Sequence, residues 1–274
     1  MRIQLLSDLH LEVDPFFIPQ PAPDADVLVL AGDIGALPDT PMARHGTPDW
    51  GLARFSPRLG AWPVPVLYVP GNHEFDGQDL DISRAALQAL ANDLGLVWLD
   101  REFVIIDNVR FVGTTLWSDF DCFSDRPSYV PGAMTYNLRQ REKAYRAANY
   151  YLEKALTMRE GKLFDADRLR EESLVCQTWL RAALAMPHDG KTVVVTHFAP
   201  SLKSHDPRFG LTPGTAGFCN ALDDLIDSAD VWLHGHLHCP SDYQVGKCRV
   251  VANPLGYAEQ GEQATFNPQC VIEV

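Results

Sequence analysis

WLHGHLHC, Trp232–Cys239, carries three of the nine histidines in this chain, at positions 234, 236 and 238. The residues leading into it, DVWLHGH, have the make-up of a short buried strand. Alternate residues of an extended segment face one way, so the three rings are expected on one side. The same form recurs in RIQLLSD, DVLVLAGD, VPVLYVPGNH and TVVVTH, short runs rich in branched apolar residues that end abruptly in polar ones. Such runs suit strands buried on both faces of a sheet, whereas helices are usually longer and periodic. Open α/β sheets bind ligands in the crevice beyond the carboxyl ends of their strands, and all five runs place their polar residues there.

Further strands are predicted in VWLDREFVIIDNVRFVGTTLW and in the stretch from VGKCRVVANPLGY through QCVIEV. Short polar turns such as Asp107-Asn108 point to hairpins and antiparallel additions. Helices are expected over about 79–94, with Leu87, Leu90, Ala91 and Leu94 on one face, over about 136–160, and over about 166–186, where Leu169, Trp179, Leu180 and Leu184 can be buried. The fold class is therefore α/β, with a mixed sheet or two packed sheets. At 274 residues the chain reads as one domain, 1–274, with 118–188 as a helical cap or insertion. The segments Asp14 to Pro23 and Gly35 to Pro65, rich in Pro, Gly and Asp, read as loops that could wall a substrate.

A formal charge of −13 speaks against a surface that wraps nucleic acid, because such surfaces gather Lys and Arg against phosphates. The six cysteines show no C-x-x-C spacing and read as reduced thiols. MRIQLLSDLH has too short an apolar stretch for a signal peptide or a membrane span, and a cytoplasmic location is expected.

The polar residues at the strand ends are Asp8 and His10 (SDLH), Asp33 (AGDIG), Asn72 and His73 (PGNHE), His197 (VTH), and His236 and His238 (GHLH). They are all carboxylate, imidazole and amide. No Ser or Cys stands with a base in a nucleophile turn, so a covalent triad gains no support. Mixed nitrogen and oxygen ligands suit Mn, Fe, Zn or Co, while Mg and Ca prefer oxygen. With one bridging carboxylate the set is enough for two ions, an arrangement that serves in-line displacement at phosphorus. Hydrolysis of a phosphate ester is the chemistry implied.

The ordered series D-x-H, G-D, G-N-H-E, H after a β run, and G-H-x-H resembles the calcineurin-like metallophosphoesterase superfamily, over residues 8 to 238. The resemblance implies two packed mixed sheets flanked by helices. It implies that Asp8, His10, Asp33 and His238 hold one metal, and that Asp33 as bridge, Asn72, His197 and His236 hold the other, with Mn or Fe favoured over Zn or Mg. His73 would be the non-ligand histidine that gives a proton to the leaving oxygen or stabilises its charge. The nucleophile would be a hydroxide between the metals. His236 and His238 would then each serve one ion, Gly235 would allow close backbone approach, and His234 is left as a structural residue. GDIGALP lacks the Arg of the G-D-x-x-D-R-G block found in the phosphoprotein phosphatases. That departure favours the bacterial phosphoesterase and phosphodiesterase branch.

The substrate is expected to be a small organic phosphoester, a nucleotide being one candidate. Lys203, His205 and Arg208 could reach a phosphate, Tyr257 could line a pocket, and Trp117, Phe120 and Phe123 could stack on a base or simply be buried. A nuclease and a non-catalytic scaffold on the same fold are the alternatives. All eight site positions are present, which weighs against the scaffold.

Overall fold

The five apolar runs become strands buried on both faces. The computed structural model of the protein describes residues 1–41 and 43–274; Met42, inside the loop expected from Gly35 to Pro65, lies outside the described residues. In chain order the strands are β1 (Arg2–Leu6), β2 (Val27–Ala31), β3 (Val66–Val69), β4 (Val97–Trp98), β5 (Glu102–Ile106), β6 (Val109–Thr114), β7 (Met158–Arg159), β8 (Lys162–Leu163), β9 (Lys191–Thr196), β10 (Val231–His234), β11 (Ser241–Val245), β12 (Cys248–Ala252) and β13 (Val271–Glu273).

One sheet has the order β13-β1-β2-β3-β4 and a second has β11-β12-β10-β9-β6-β5, while β7 and β8 form a separate hairpin. In the first, β1 to β4 run parallel and β13 antiparallel. In the second, β6, β9, β10 and β12 are parallel, with β5 and β11 as antiparallel edges. Both sheets are therefore mixed. The β5–β6 turn is Asp107-Asn108, both residues left-handed (φ 45° and 63°), as a two-residue hairpin requires.

A period of two sorts the side chains. Ile3, Leu5, Val29, Leu67 and Val69 of the first sheet pack with Phe111, Val193, Val195, Leu233 and Val251 of the second in one buried layer. Their sequence neighbours, among them Leu6, Leu28, Tyr68, Val194 and Trp232, join a second cluster shared with the helices. A slip of one residue would exchange the two layers, so the register is strongly fixed.

The helices are α1 (Leu80–Leu94), α2 (Ala133–Ala155), α3 (Ala166–Ala185) and the single turn α4 (Asp223–Ile226). The Asp79 carboxylate caps α1 by accepting the N–H groups of Asp81 and Ile82, and left-handed Gly95 ends it. α1 buries Leu80, Leu87, Ala91 and Leu94, and α3 buries Leu169, Cys176 and Leu180. α2 packs on α3 and on the 3-10 turn Pro213–Gly217, burying only Ala133 and Ala144. The buried Glu172 carboxylate of α3 gathers Arg84, Arg101 and Arg159 at 2.6, 3.4 and 3.0 Å, fastening α3 and the β7–β8 hairpin to α1 and the end of β4.

One expectation fails. Strand β10 stops at His234, and His236 and His238 have φ of 74° and 48°. They belong to a left-handed loop, so strand alternation does not aim the three rings. His234 lies in the outer layer with its Nε2 2.9 Å from Ser204 Oγ and its Nδ1 3.0 Å from the carbonyl of Gly235. It stands outside both groups of residues that could hold a cation.

Candidate metal centre

The polar residues leave β1, β2, β3, β9 and β10 at their carboxyl ends, where sharp turns replace the strands. Asp8, His10, Asp33, His236 and His238 all have positive φ, between 46° and 74°. Each such residue costs about 1–2 kcal/mol, and the conformation persists only where the surroundings enforce it. Close backbone approach is part of that enforcement. A Cβ on Gly235 would lie 2.5 Å from Asp8 Oδ2, 2.9 Å from Ser7 Cβ and 3.0 Å from the carbonyl oxygen of Ala31. A Cβ on Gly71 would fall on the Asp33 carboxylate, and one on Gly32 on the His197 ring.

Two groups of ligand atoms result, each compact enough to hold one cation: Asp8, His10, Asp33 and His238, and Asp33, His197 and His236. Asp33 is common to both. Its Oδ1 accepts the N–H of His73 at 2.9 Å, while its Oδ2 lies 3.1 Å from His197 Nε2 and 4.0 Å from His10 Nε2. Oδ2 of Asp8 is buried and receives no hydrogen bond among the described residues, while Oδ2 of Asp33 has only the contact to His197. Asn72 brings Oδ1 to 3.2 Å from His197 Nε2, at the edge of the second group.

Hydrogen bonding on the far side of each ring fixes which nitrogen faces the site. His10 Nδ1 is 2.8 Å from Glu12 Oε1 and His238 Nδ1 is 2.7 Å from Glu262 Oε2. A carboxylate can only accept, so both Nδ1 atoms carry protons and both Nε2 atoms turn inward to the site. Those two Nε2 atoms face each other at 3.0 Å, with Asp8 Oδ1 3.6 Å from that of His238. Two imidazoles and two carboxylates thus converge in a buried space, which is an arrangement a cation satisfies. His197 Nδ1 donates to the carbonyl of Ala31 at 2.8 Å, again leaving Nε2 inward. The His236 ring packs on Phe198 (centroids 3.9 Å apart) and stacks on Phe218 (5.0 Å).

Charge follows the same logic. Burial, then the neighbouring His197, holds the pKa of His236 well below its usual value, so this ring is neutral, the form in which an imidazole can take a metal. His197 is also penalised by burial, yet Asp33 and then Asp8 raise it to about 9. Asp33 stays ionised despite burial because His197 and His73 hold its pKa well below the usual carboxylate range.

His73 stands outside both groups. Its Nδ1 is 2.6 Å from Asp76 Oδ2, its ring is edge-on to His10 at 5.0 Å, and a fifth of its side chain reaches solvent. Burial lowers its pKa, but the charges of Asp76 and Asp33 prevail and raise it well above the ordinary histidine value. Glu74, its neighbour, accepts the N–H groups of Gly71 (2.8 Å), Asp33 (3.1 Å) and Ile34 (2.8 Å), lacing the GNHE turn to the GD turn.

The remaining sequence candidates separate clearly. Trp117 and Phe120 are buried, Trp117 against Phe75, Phe164 and Phe198, so neither offers a face to a base; Phe123 is partly buried against the same core. Lys203 pairs with Asp223 at 2.7 Å, and His205 Nδ1 bonds the carbonyl of Leu202 at 2.8 Å. Tyr257 does reach the site: its ring lies 4.4 Å from that of His10 and 4.8 Å from that of His238. It lines a cleft of about 260 Å³ with His10, Val13, Asp14 and the Gly256–Glu259 segment. Arg208 sits at the rim, bound to Asp206 at 2.7 Å and 3.4 Å from the carbonyl of His238. Sequence reasoning gave no role to Glu12, Glu74, Asp76 or Glu262. The first three stand within three residues of a site histidine, but Glu262 is 24 residues beyond His238 and has no local signal.

The family model for calcineurin-like phosphoesterases matches residues 1–240. Across its whole length the chain is 23% identical to uncharacterized protein L509 of Acanthamoeba polyphaga mimivirus, 97% of which is covered. Among solved structures it is similar to phosphopantetheinyl hydrolase of Mycobacterium tuberculosis, with a TM-score of 0.68, 19% identity, and coverage of 99% of this chain and 95% of that one. At that identity the likeness is one of fold. All six cysteines are free thiols, and among the described residues no helix is long and apolar enough to cross a membrane.

Proposed function

The chain belongs to the calcineurin-like phosphoesterase family, whose members are metal-dependent phosphoester hydrolases, and on that premise we propose that it cleaves a small organic phosphoester at a pair of metal ions. Asp8, His10, Asp33 and His238 would hold one ion; Asp33, Asn72, His197 and His236 would hold the other. The observation that carries this reading is the convergence of His10 Nε2 and His238 Nε2, 3.0 Å apart, with the buried carboxylates of Asp33 and Asp8 in one compact group, the Oδ2 of Asp8 having no hydrogen-bond partner among the described residues. The mixed nitrogen and oxygen set favours Mn or Fe over Mg. When bound, the two ions supply an activated water and a positive seat for the phosphoryl oxygens.

The chain's own residues do the rest. Asp33, common to both groups, would be shared by the two ions. Glu12 and Glu262 keep His10 and His238 in the tautomer that ligates. Asp76 holds the Nδ1 proton of His73, so the proton given to the leaving oxygen departs from Nε2 and the ring returns to neutral. Tyr257 and the backbone of Gly256 to Glu259 wall the cleft that opens beside His10, the place we assign to the leaving group. We treat 1–274 as one domain with 118–188 as its cap, working in the cytoplasm.

Hydrolysis of bis(p-nitrophenyl) phosphate and of p-nitrophenyl phosphate with Mn, Fe, Zn or Mg added in turn tests the reading. A phosphopantetheinyl ester is a third substrate to try, given the likeness in fold to a phosphopantetheinyl hydrolase. Metal-dependent turnover of at least one ester is expected. Fully metal-loaded protein that cleaves none of them would overturn it.

A further inference from the structure

We infer that Glu262 is a positioning residue of the metal centre, delivered by a strap, Gly256 to Glu262, that lies beyond the family match ending at residue 240. The inference rests on the metal-binding reading above and adds a component to it.

Three observations meet here. First, a single oxygen of Glu262, Oε2, accepts from both His238 Nδ1 at 2.7 Å and the N–H of Tyr257 at 2.8 Å, so the carboxylate is held by its own strap while it holds the ring. Second, the strap is shaped for that contact. Gly256 has φ +69°, and a Cβ there would come within 2.8 Å of both Cβ and Oε2 of Glu262 and 3.2 Å of His238 Cβ. Third, the strap is docked on the other end of the same site. The N–H groups of Leu255 and Gly256 donate to the carbonyls of Ser7 and Asp8 at 3.1 and 2.9 Å, and the ring of Tyr257 covers those of His10 and His238.

The strap therefore spans the first group from its Asp8 side to its His238 side. Glu262 also lies 3.6 Å from Arg208, which bonds the carbonyl of His238. The consequence is selective: Glu262 touches only the group built from Asp8, His10, Asp33 and His238, and nothing in the group built from His197 and His236.

The test is Mn binding, measured by calorimetry on the full chain and on Glu262→Ala and Glu262→Gln, with thermal melts in chelator as a control for folding. Outer partners of metal-ligating histidines are worth roughly 10–100-fold in affinity. Glu262→Ala is expected to weaken one of two Mn sites by about that factor and leave the other unchanged. Glu262→Gln, whose amide oxygen can accept both N–H groups as Oε2 does, should recover most of the loss. Should Glu262→Ala fail to fold, Gly256→Ala displaces the carboxylate by contact and is expected to weaken the same single site. Two wild-type-like Mn sites in Glu262→Ala, or equal weakening of both, would overturn the inference while leaving the metal centre intact. A wild-type chain that binds no cation would overturn the metal-binding reading and the inference with it.

Discussion

Replacing Gly235 by Ala adds one methyl group at the point where three backbone segments meet. The new carbon would stand 2.5 Å from Asp8 Oδ2, 2.9 Å from Ser7 Cβ and 3.0 Å from the carbonyl of Ala31, whereas ordinary contact begins at 3.4 Å. The shortfall against Asp8 is about 0.9 Å, and Ser7 and Ala31 close the other directions. Relief requires Asp8 to rotate away or the Gly235 backbone to retreat. The second route carries the site along, because the N–H of Gly235 bonds the carbonyl of His197 at 3.0 Å and the N–H of His236 bonds Asp8 Oδ1 at 2.8 Å. The overpacking itself costs about 1–3 kcal/mol. A ligand displaced by close to 1 Å is worth on the order of 10²-fold in turnover. We therefore expect Gly235→Ala to fold, with a lower melting point, to bind Mn 10–100-fold more weakly as a perturbed metal shell does, and to lose about 10²-fold in kcat/KM. Calorimetry, elemental analysis after dialysis and chromogenic ester hydrolysis read these three effects. A variant with wild-type Mn affinity and turnover within about twofold would refute the close-packing account of the site.

Other outcomes follow from the same geometry. His73→Ala should lower turnover by about 10²–10⁴-fold, the usual worth of a general acid, while both metals stay bound, since its ring is outside both ligand groups; loss of metal in that variant would make His73 a ligand instead. Removing metal with a chelator should lower the melting point by roughly 5–10 °C, taking free metal at about 100 times Kd and a chain of this size; scanning calorimetry with and without chelator reads the shift. Glu172 answers to pH. Burial would raise its pKa, but Arg84, Arg101 and Arg159 hold it below the usual 4.5, so its contribution is present above that value and is lost as pH falls through the folded pKa. Because those arginines are partly exposed, Glu172→Gln should cost about 1–3 kcal/mol near neutral pH and flatten the acid limb of the stability curve; an acid limb identical to wild type in denaturant titrations would contradict it.

What the sequence discloses here depends on how local the cause is. The five central strands are legible because burial on both faces writes them as unbroken apolar runs, and the polar residues after four of them, β1, β2, β9 and β10, converge in the two groups that could hold a cation. His236 and His238 fall one in each group, but not through strand alternation. Strand alternation ends at His234, and left-handed backbone aims the two rings, a conformation that steric contact with distant segments imposes. Trp117 and Phe120 look like a stacking surface in isolation, yet their burial depends on Phe75, Phe164, Tyr145 and Phe198, which other elements bring to them. Glu12 and Asp76, two and three residues from the histidines they orient, carry a faint local signal. Glu262 carries none, because its partnership with His238 exists only once the strap has closed over Ser7 and Asp8.

The most direct measurement of the central claim is anomalous scattering from crystals of the full chain grown with Mn. The account predicts two peaks roughly 3.5–4 Å apart, one among Asp8, His10, Asp33 and His238, the other among Asp33, Asn72, His197 and His236, with Asp33 touching both. A single peak, or two peaks that do not share Asp33, would contradict it.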